Sequence, residues 1–118
     1  MRRHSKRRAS QERSLRKAER ELNEEGNDRC FFYPFLPRSE YHHLIPKSQN
    51  SLLIDCKENL IPISDLAHET ITRGTSDQLR NLPNLREYLV RMKGLDEKYY
   101  NRFMTNHELW DYESNIKI

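Results

Sequence analysis

The sequence predicts a small α+β domain in which strand, loop, strand and helix follow one another mid-chain, with helices flanking them on both sides. Three observations lead there. Tyr41 to Ile45 has strand-like composition and is closed by Pro46, and Leu60 to Ile63 is a second short strand candidate. Ser64 stands where it can cap a helix that begins at Asp65, carries His68 in its first turn and stops at Gly74. Beyond Gly74, apolar residues return at helical spacing.

A chain of 118 residues leaves room for one domain and an arm. With 35% hydrophobic and 33% charged residues its core is modest, of the kind often helped by a metal or a partner. No run approaches the ~20 apolar residues of a membrane-spanning helix. The basic start lacks the apolar stretch of a signal peptide, so an intracellular protein is expected. Cys30 and Cys56 form neither a disulfide framework nor a paired zinc motif. There is no internal repeat and no Gly-rich phosphate loop.

The first segment, 1–28, reads as a basic, partly helical arm. The net charge of +3 conceals its asymmetry. Up to Arg20 it holds Arg2, Arg3, Lys6, Arg7, Arg8, Arg13, Arg16, Lys17 and Arg20 against Glu12 and Glu19 alone. Such a run suits a polyphosphate through counterion release, without reading its sequence. A solvated, partly disordered tail is the plainer alternative, and the two are compatible. Ser10 to Glu25 is helix-permissive, but Leu15, Ala18 and Leu22 make a sparse stripe, so a helix there must lie on the domain or on DNA. Gly26-Asn27-Asp28 breaks it.

The last segment, 76–118, reads as a helical extension packing on the core. Asn84 caps a helix whose Leu85, Tyr88, Leu89 and Met92 share a face, with Gly94 as its stop. Leu95, Tyr99 and Phe103 then repeat at four-residue spacing, beside Tyr100 and Met104. These residues read as core-facing stripes with no part in a site.

The middle segment, 29–75, carries the chemistry: Tyr41-His42-His43-Leu44-Ile45-Pro46, then Asn59-Leu60, then His68 nine residues on, then Arg73-Gly74. Taken singly, an adjacent histidine pair is often a surface accident, a lone helix histidine a polar surface group, and Asn59 a turn residue. Taken in this order and spacing, they resemble the HNH nucleases of the ββα-metal fold. The Arg73-Gly74 ending looks like that of the HNH domains of bacterial colicins. The likeness covers less than half of the chain.

The resemblance implies a ββα-metal HNH core, two short antiparallel strands and a metal-bearing helix, and a metal-dependent endonuclease hydrolysing phosphodiester bonds in DNA, with RNA as a further possible substrate. Such cleavage needs an activated water and stabilisation of the charge on the phosphorane and the departing oxygen. By resemblance, His43 is the general base, a task suited to an imidazole near neutral pH. His42 and His68 hold one divalent cation. Asn59 ties the loop between the strands and so orients the base. Because successive strand residues face opposite ways, His42 and His43 need a bend or different reaches to share one site.

Two departures shape the metal. Many members bear Cys-x-x-Cys knuckles for a structural zinc; the equivalent pairs here are Cys30 with Tyr33 and Ser64 with Ala67, so no structural zinc is expected. Thr72 stands where colicin-like members carry a further metal histidine. Two imidazoles with waters and phosphate oxygens favour magnesium or manganese. Arg38, Lys47 and Arg73 flank the motif as candidate clamps on the scissile phosphate. A second reading keeps the HNH shell as a basic nucleic-acid-binding protein with little or no cleavage. A third, a helical interaction module in the C-terminal half, leaves the histidines unexplained.

Overall fold

The computed structural model describes residues 2–112, with side chains from residue 8 onward. The basic segment forms one long helix, α1 (Arg2–Glu24), longer than the sequence predicts. Its sparse apolar stripe is used in full: Leu15, Ala18 and Leu22 pack on Tyr41 and Leu60. A helix this polar gains its stability from that docking rather than from its own propensity. It ends at the expected place, where Gly26 takes a φ of 88°. Lys57 holds the same end through Glu21 at 3.6 Å and Glu25 at 2.8 Å.

β1 (Glu40–His43) and β2 (Leu60–Ile63) form a two-stranded antiparallel sheet, Glu40 opposite Ile63 and His43 opposite Leu60. β1 is shorter than predicted: Leu44 and Ile45 leave the sheet and turn into the core, although the Leu44 N–H still donates to the Asn59 carbonyl at 2.9 Å. Side-chain alternation gives the sheet two faces. Tyr41 and Leu60 meet α1 on one, while Ile61 and Ile63 join the main core on the other. That is why all four residues of β2 are buried. Two 3-10 turns, Ser51–Leu53 and Lys57–Asn59, shape the loop between the strands.

α2 (Asp65–Arg73) begins and ends as the sequence predicts. The Ser64 hydroxyl accepts from the Ala67 N–H at 3.3 Å. At Gly74 a side chain would collide with the Thr70 carbonyl oxygen, so glycine is there for space. α3 (Ser76–Arg80) is absent from the sequence reading, and a reciprocal cap between Thr75 and Gln78 starts it.

α4 (Leu85–Leu95) and α5 (Glu97–Asn106) bury Leu85, Tyr88, Leu89, Met92, Tyr100, Phe103 and Met104 in the main core. Their predicted ends need correction. Asn84 starts α4 with a left-handed φ of 62° and makes no side-chain cap. Its amide instead donates to the Phe31 carbonyl at 3.2 Å. Gly94 lies inside α4; the stop is Asp96, whose extended backbone breaks the helix and whose carboxylate caps α5 at the Tyr99 N–H, 3.0 Å away. Among the described residues, no helix is long and apolar enough to cross a membrane.

Candidate functional site

β1 sets His42 and His43 side by side, and alternation sends them to opposite faces. His42 lies opposite Ile61, on the main-core face. His68, in the first turn of α2, meets it there, the ring centroids 5.7 Å apart and the planes at 68°. Glu40 shares the His42 face of β1, and its Oε1 lies 3.6 Å from His68 Nε2. Tyr88 of α4 approaches from another side, its hydroxyl 3.3 Å from His42 Nε2. Burial, then the neighbouring imidazoles of His68 and His43, push the His42 pKa down to about 4. Its ring is therefore neutral at neutral pH, with one lone pair.

His43 turns toward the loop, its Nε2 2.9 Å from the Ile54 carbonyl oxygen. A carbonyl only accepts, so the neutral ring carries its proton on Nε2 and leaves Nδ1 with a free lone pair. Asn59 is fully buried, and its side chain makes three hydrogen bonds. Its Oδ1 accepts from the Ile45 N–H at 2.7 Å. Its Nδ2 donates to the carbonyls of Ile45 and Leu53, each at 3.1 Å. One side chain thus ties the exit of β1 to Leu53, and the next residue supplies the carbonyl that holds His43.

The two histidines of β1 line one cleft of about 250 Å³, together with Pro46, Thr72, Tyr88, Tyr99, Phe103 and His107. The bend where β1 leaves the sheet at His43 brings opposite strand faces to a shared opening. Thr72 lies on this side of α2, but its hydroxyl donates to the backbone carbonyls of His68 at 2.9 Å and Glu69 at 3.3 Å. His107 rests on Phe103, the rings 4.3 Å apart, and burial lowers its pKa.

The His42 and His68 rings are close enough for both to reach one divalent cation. An imidazole nitrogen lies ~2.1 Å from such an ion, which sets two ligating rings roughly 5–6 Å apart. Among the described residues, no three His, Cys, Asp or Glu side chains are placed to hold an ion by themselves. Water and phosphate oxygens would have to complete the shell.

None of the three candidate phosphate clamps lines the cleft. Arg38 donates to Asn23 Oδ1 at 2.6 Å, the Asn27 carbonyl at 3.0 Å and the Tyr41 hydroxyl at 2.6 Å. It is the clasp between α1 and β1, with its guanidinium 4.5 Å from the centre of the Tyr41 ring. Arg73 lines a different depression with Leu66, Glu69 and Gln78. Lys47 is exposed in the loop after Pro46. Closeness in sequence places these cations near the motif, but Arg38 is drawn to the α1 side and Arg73 opens onto another depression beside α2.

Cys30 and Ser64, from separate segments, lie side by side. Burial pushes the Cys30 thiol up, but hydrogen bonds from Ser64 and from the backbone of Tyr33, Ser64 and Phe32 outweigh it and hold it low. Ala67 hydrogen-bonds the same Ser64 and is fully buried.

Sequence reasoning missed Glu40, Tyr88, Tyr99, Phe103 and His107. Glu40 was within reach, since a residue two before His42 shares its strand face. Tyr88 carried a weaker signal, because a tyrosine in a buried stripe needs a partner for its hydroxyl. Comparison of the chain with protein-family models, curated proteins and solved structures finds no match.

Proposed function

We propose that this protein is a small metal-dependent HNH endonuclease, with β1, β2 and α2 as its ββα-metal core and the cleft at His42 and His43 as its active site. The observation that carries the reading is the linkage from Asn59 through Leu53 to the Ile54 carbonyl and His43. A buried asparagine that fixes the loop and thereby the tautomer of an adjacent imidazole is the arrangement a general base needs. The contact of Cys30 with Ser64, two of the positions where the family's zinc knuckles stand, supports the same core.

In this mechanism His43 takes a proton at Nδ1 from water as that water attacks the phosphorus, and the Ile54 carbonyl stabilises the imidazolium that results. A magnesium or manganese ion held by His42 and His68 would polarise the phosphate and stabilise the departing oxygen. His42 contributes by staying neutral, since a protonated imidazole cannot ligate. Glu40 sets a negative charge beside His68 and favours its orientation toward β1. Thr72 leaves its position to solvent or phosphate, because its hydroxyl serves the helix backbone. DNA is the proposed substrate and an intracellular setting the one that supplies it; the exposed cations of α1 give the chain general affinity for a polyphosphate.

The test is conversion of supercoiled plasmid to nicked or linear forms with magnesium or manganese, with and without excess chelator. Cleavage that needs the metal and stops in chelator is expected. Robust cleavage in excess chelator would remove the metal mechanism. Binding without any cleavage across both metals would favour the second reading, a nucleic-acid-binding HNH shell.

A further inference from the structure

Beside the histidine cleft, α5 and the loop after Pro46 enclose a second depression of about 160 Å³. It shares Tyr99, Phe103 and His107 with the cleft, so the two lie side by side. Its other walls are polar: Gln49, Arg102 and Asn106. Arg102 donates to the Gln49 side-chain oxygen at 2.7 Å, and its guanidinium sits 5.9 Å from the centre of the Tyr99 ring. Both partners are neutral, and among the described residues no carboxylate pairs with this guanidinium, so its charge is left uncompensated there. The nearby Asp96 carboxylate is already engaged, by the Tyr99 N–H at 3.0 Å and the Asn50 amide at 3.3 Å. Tyr99 is half-buried against Phe103, 6.2 Å away, and its ring lines the depression.

We propose that this depression is a subsite for the nucleotide adjoining the scissile phosphate, with Tyr99 receiving the base and Arg102 the next phosphate along the strand. An aromatic face, an uncompensated guanidinium and two amides side by side match one nucleotide unit: a π-surface, an anion and base edges. The subsite admits an unstacked base, so it favours a single-stranded or locally opened strand over a paired duplex. It rests on the nuclease reading, because only a scissile phosphate in the neighbouring cleft gives the strand its register. It also gives the C-terminal helices a direct part in substrate binding.

The experiment measures binding of a short fluorescein-labelled single-stranded DNA to the full chain in chelator, with cleavage of the same strand followed separately with metal. Tyr99→Leu should weaken binding about five- to a hundredfold, while Tyr99→Phe, which keeps the ring, should bind nearly as the parent. Arg102→Gln should weaken binding and reduce the salt dependence by roughly one ion. Both weakening variants should raise KM far more than they lower kcat. Arg102 is exposed, so its variant should keep the parent's thermal transition and decides the matter even if Tyr99→Leu unfolds. If the parent binds and cuts the strand while Arg102→Gln behaves as the parent does, the subsite is wrong and the nuclease reading stands; a folded Tyr99→Leu that binds as the parent does overturns it in the same way. If the parent neither binds nor cuts, both fall together.

Discussion

His42 sits between Tyr88 and His68, and its pKa is held down to about 4 by burial first and by neighbouring imidazoles second. In an unfolded chain the same imidazole titrates near ~6.5. Between those values the unfolded chain takes up a proton that the folded chain refuses. The associated stability is therefore full above the unfolded value and is lost as pH falls toward the folded one. For a mostly buried ring the loss is on the order of 2–3 kcal/mol. His107, also lowered by burial, adds in the same direction. In chelator, the urea midpoint of the parent protein should fall between about pH 7 and about pH 4, and His42→Gln should flatten much of that fall. A midpoint difference between the two proteins that does not change with pH would mean that His42 is not held neutral. The same neutrality is what the proposed ligand role demands.

At the scale of elements, α1 has a division of labour set by helical periodicity. Leu15, Ala18 and Leu22 face the sheet, while Arg13, Arg16, Lys17 and Arg20 are exposed on the outer side. No partner within the described residues engages those four cations. Replacing all four by glutamine should leave the docked face and the thermal transition nearly unchanged. DNA affinity should fall, and the slope of log affinity against log salt should flatten by up to about 3–4 units. An unchanged slope would leave α1 a purely structural brace. The other elements were legible to unequal degrees. α2 could be read to the residue because both its ends are local devices, the Ser64 cap and the crowded Gly74. α3 could not, since it buries Leu79 alone and shows no stripe, although Thr75 and Gln78 spell a capping box. Gly94 suggested a stop, but α4 tolerates it and ends at Asp96, where a carboxylate serves the next helix.

Across the whole molecule, the order strand, loop, strand, helix was legible because turns, caps and histidines mark it along the chain. The convergence of Asn59, Leu53 and His43 follows from the loop those signals delimit. What could not be read was orientation set by distant packing. Arg38 looks like a phosphate clamp beside two histidines, yet Asn23, Asn27 and Tyr41 claim it on the α1 side. The apolar stripes of α4 and α5 were read as core alone, and most of their residues are core. Tyr88, Tyr99 and Phe103 also wall the cleft, because the two helices pack across the open side of β1. In the proposed mechanism His43, fixed through the Asn59 loop, activates the attacking water. The most direct measurement is the single-turnover rate of plasmid nicking by His43→Ala against the parent protein at saturating metal. A rate lower by ~10²–10⁴ with DNA binding unchanged is the predicted result; nicking at the parent rate would contradict it.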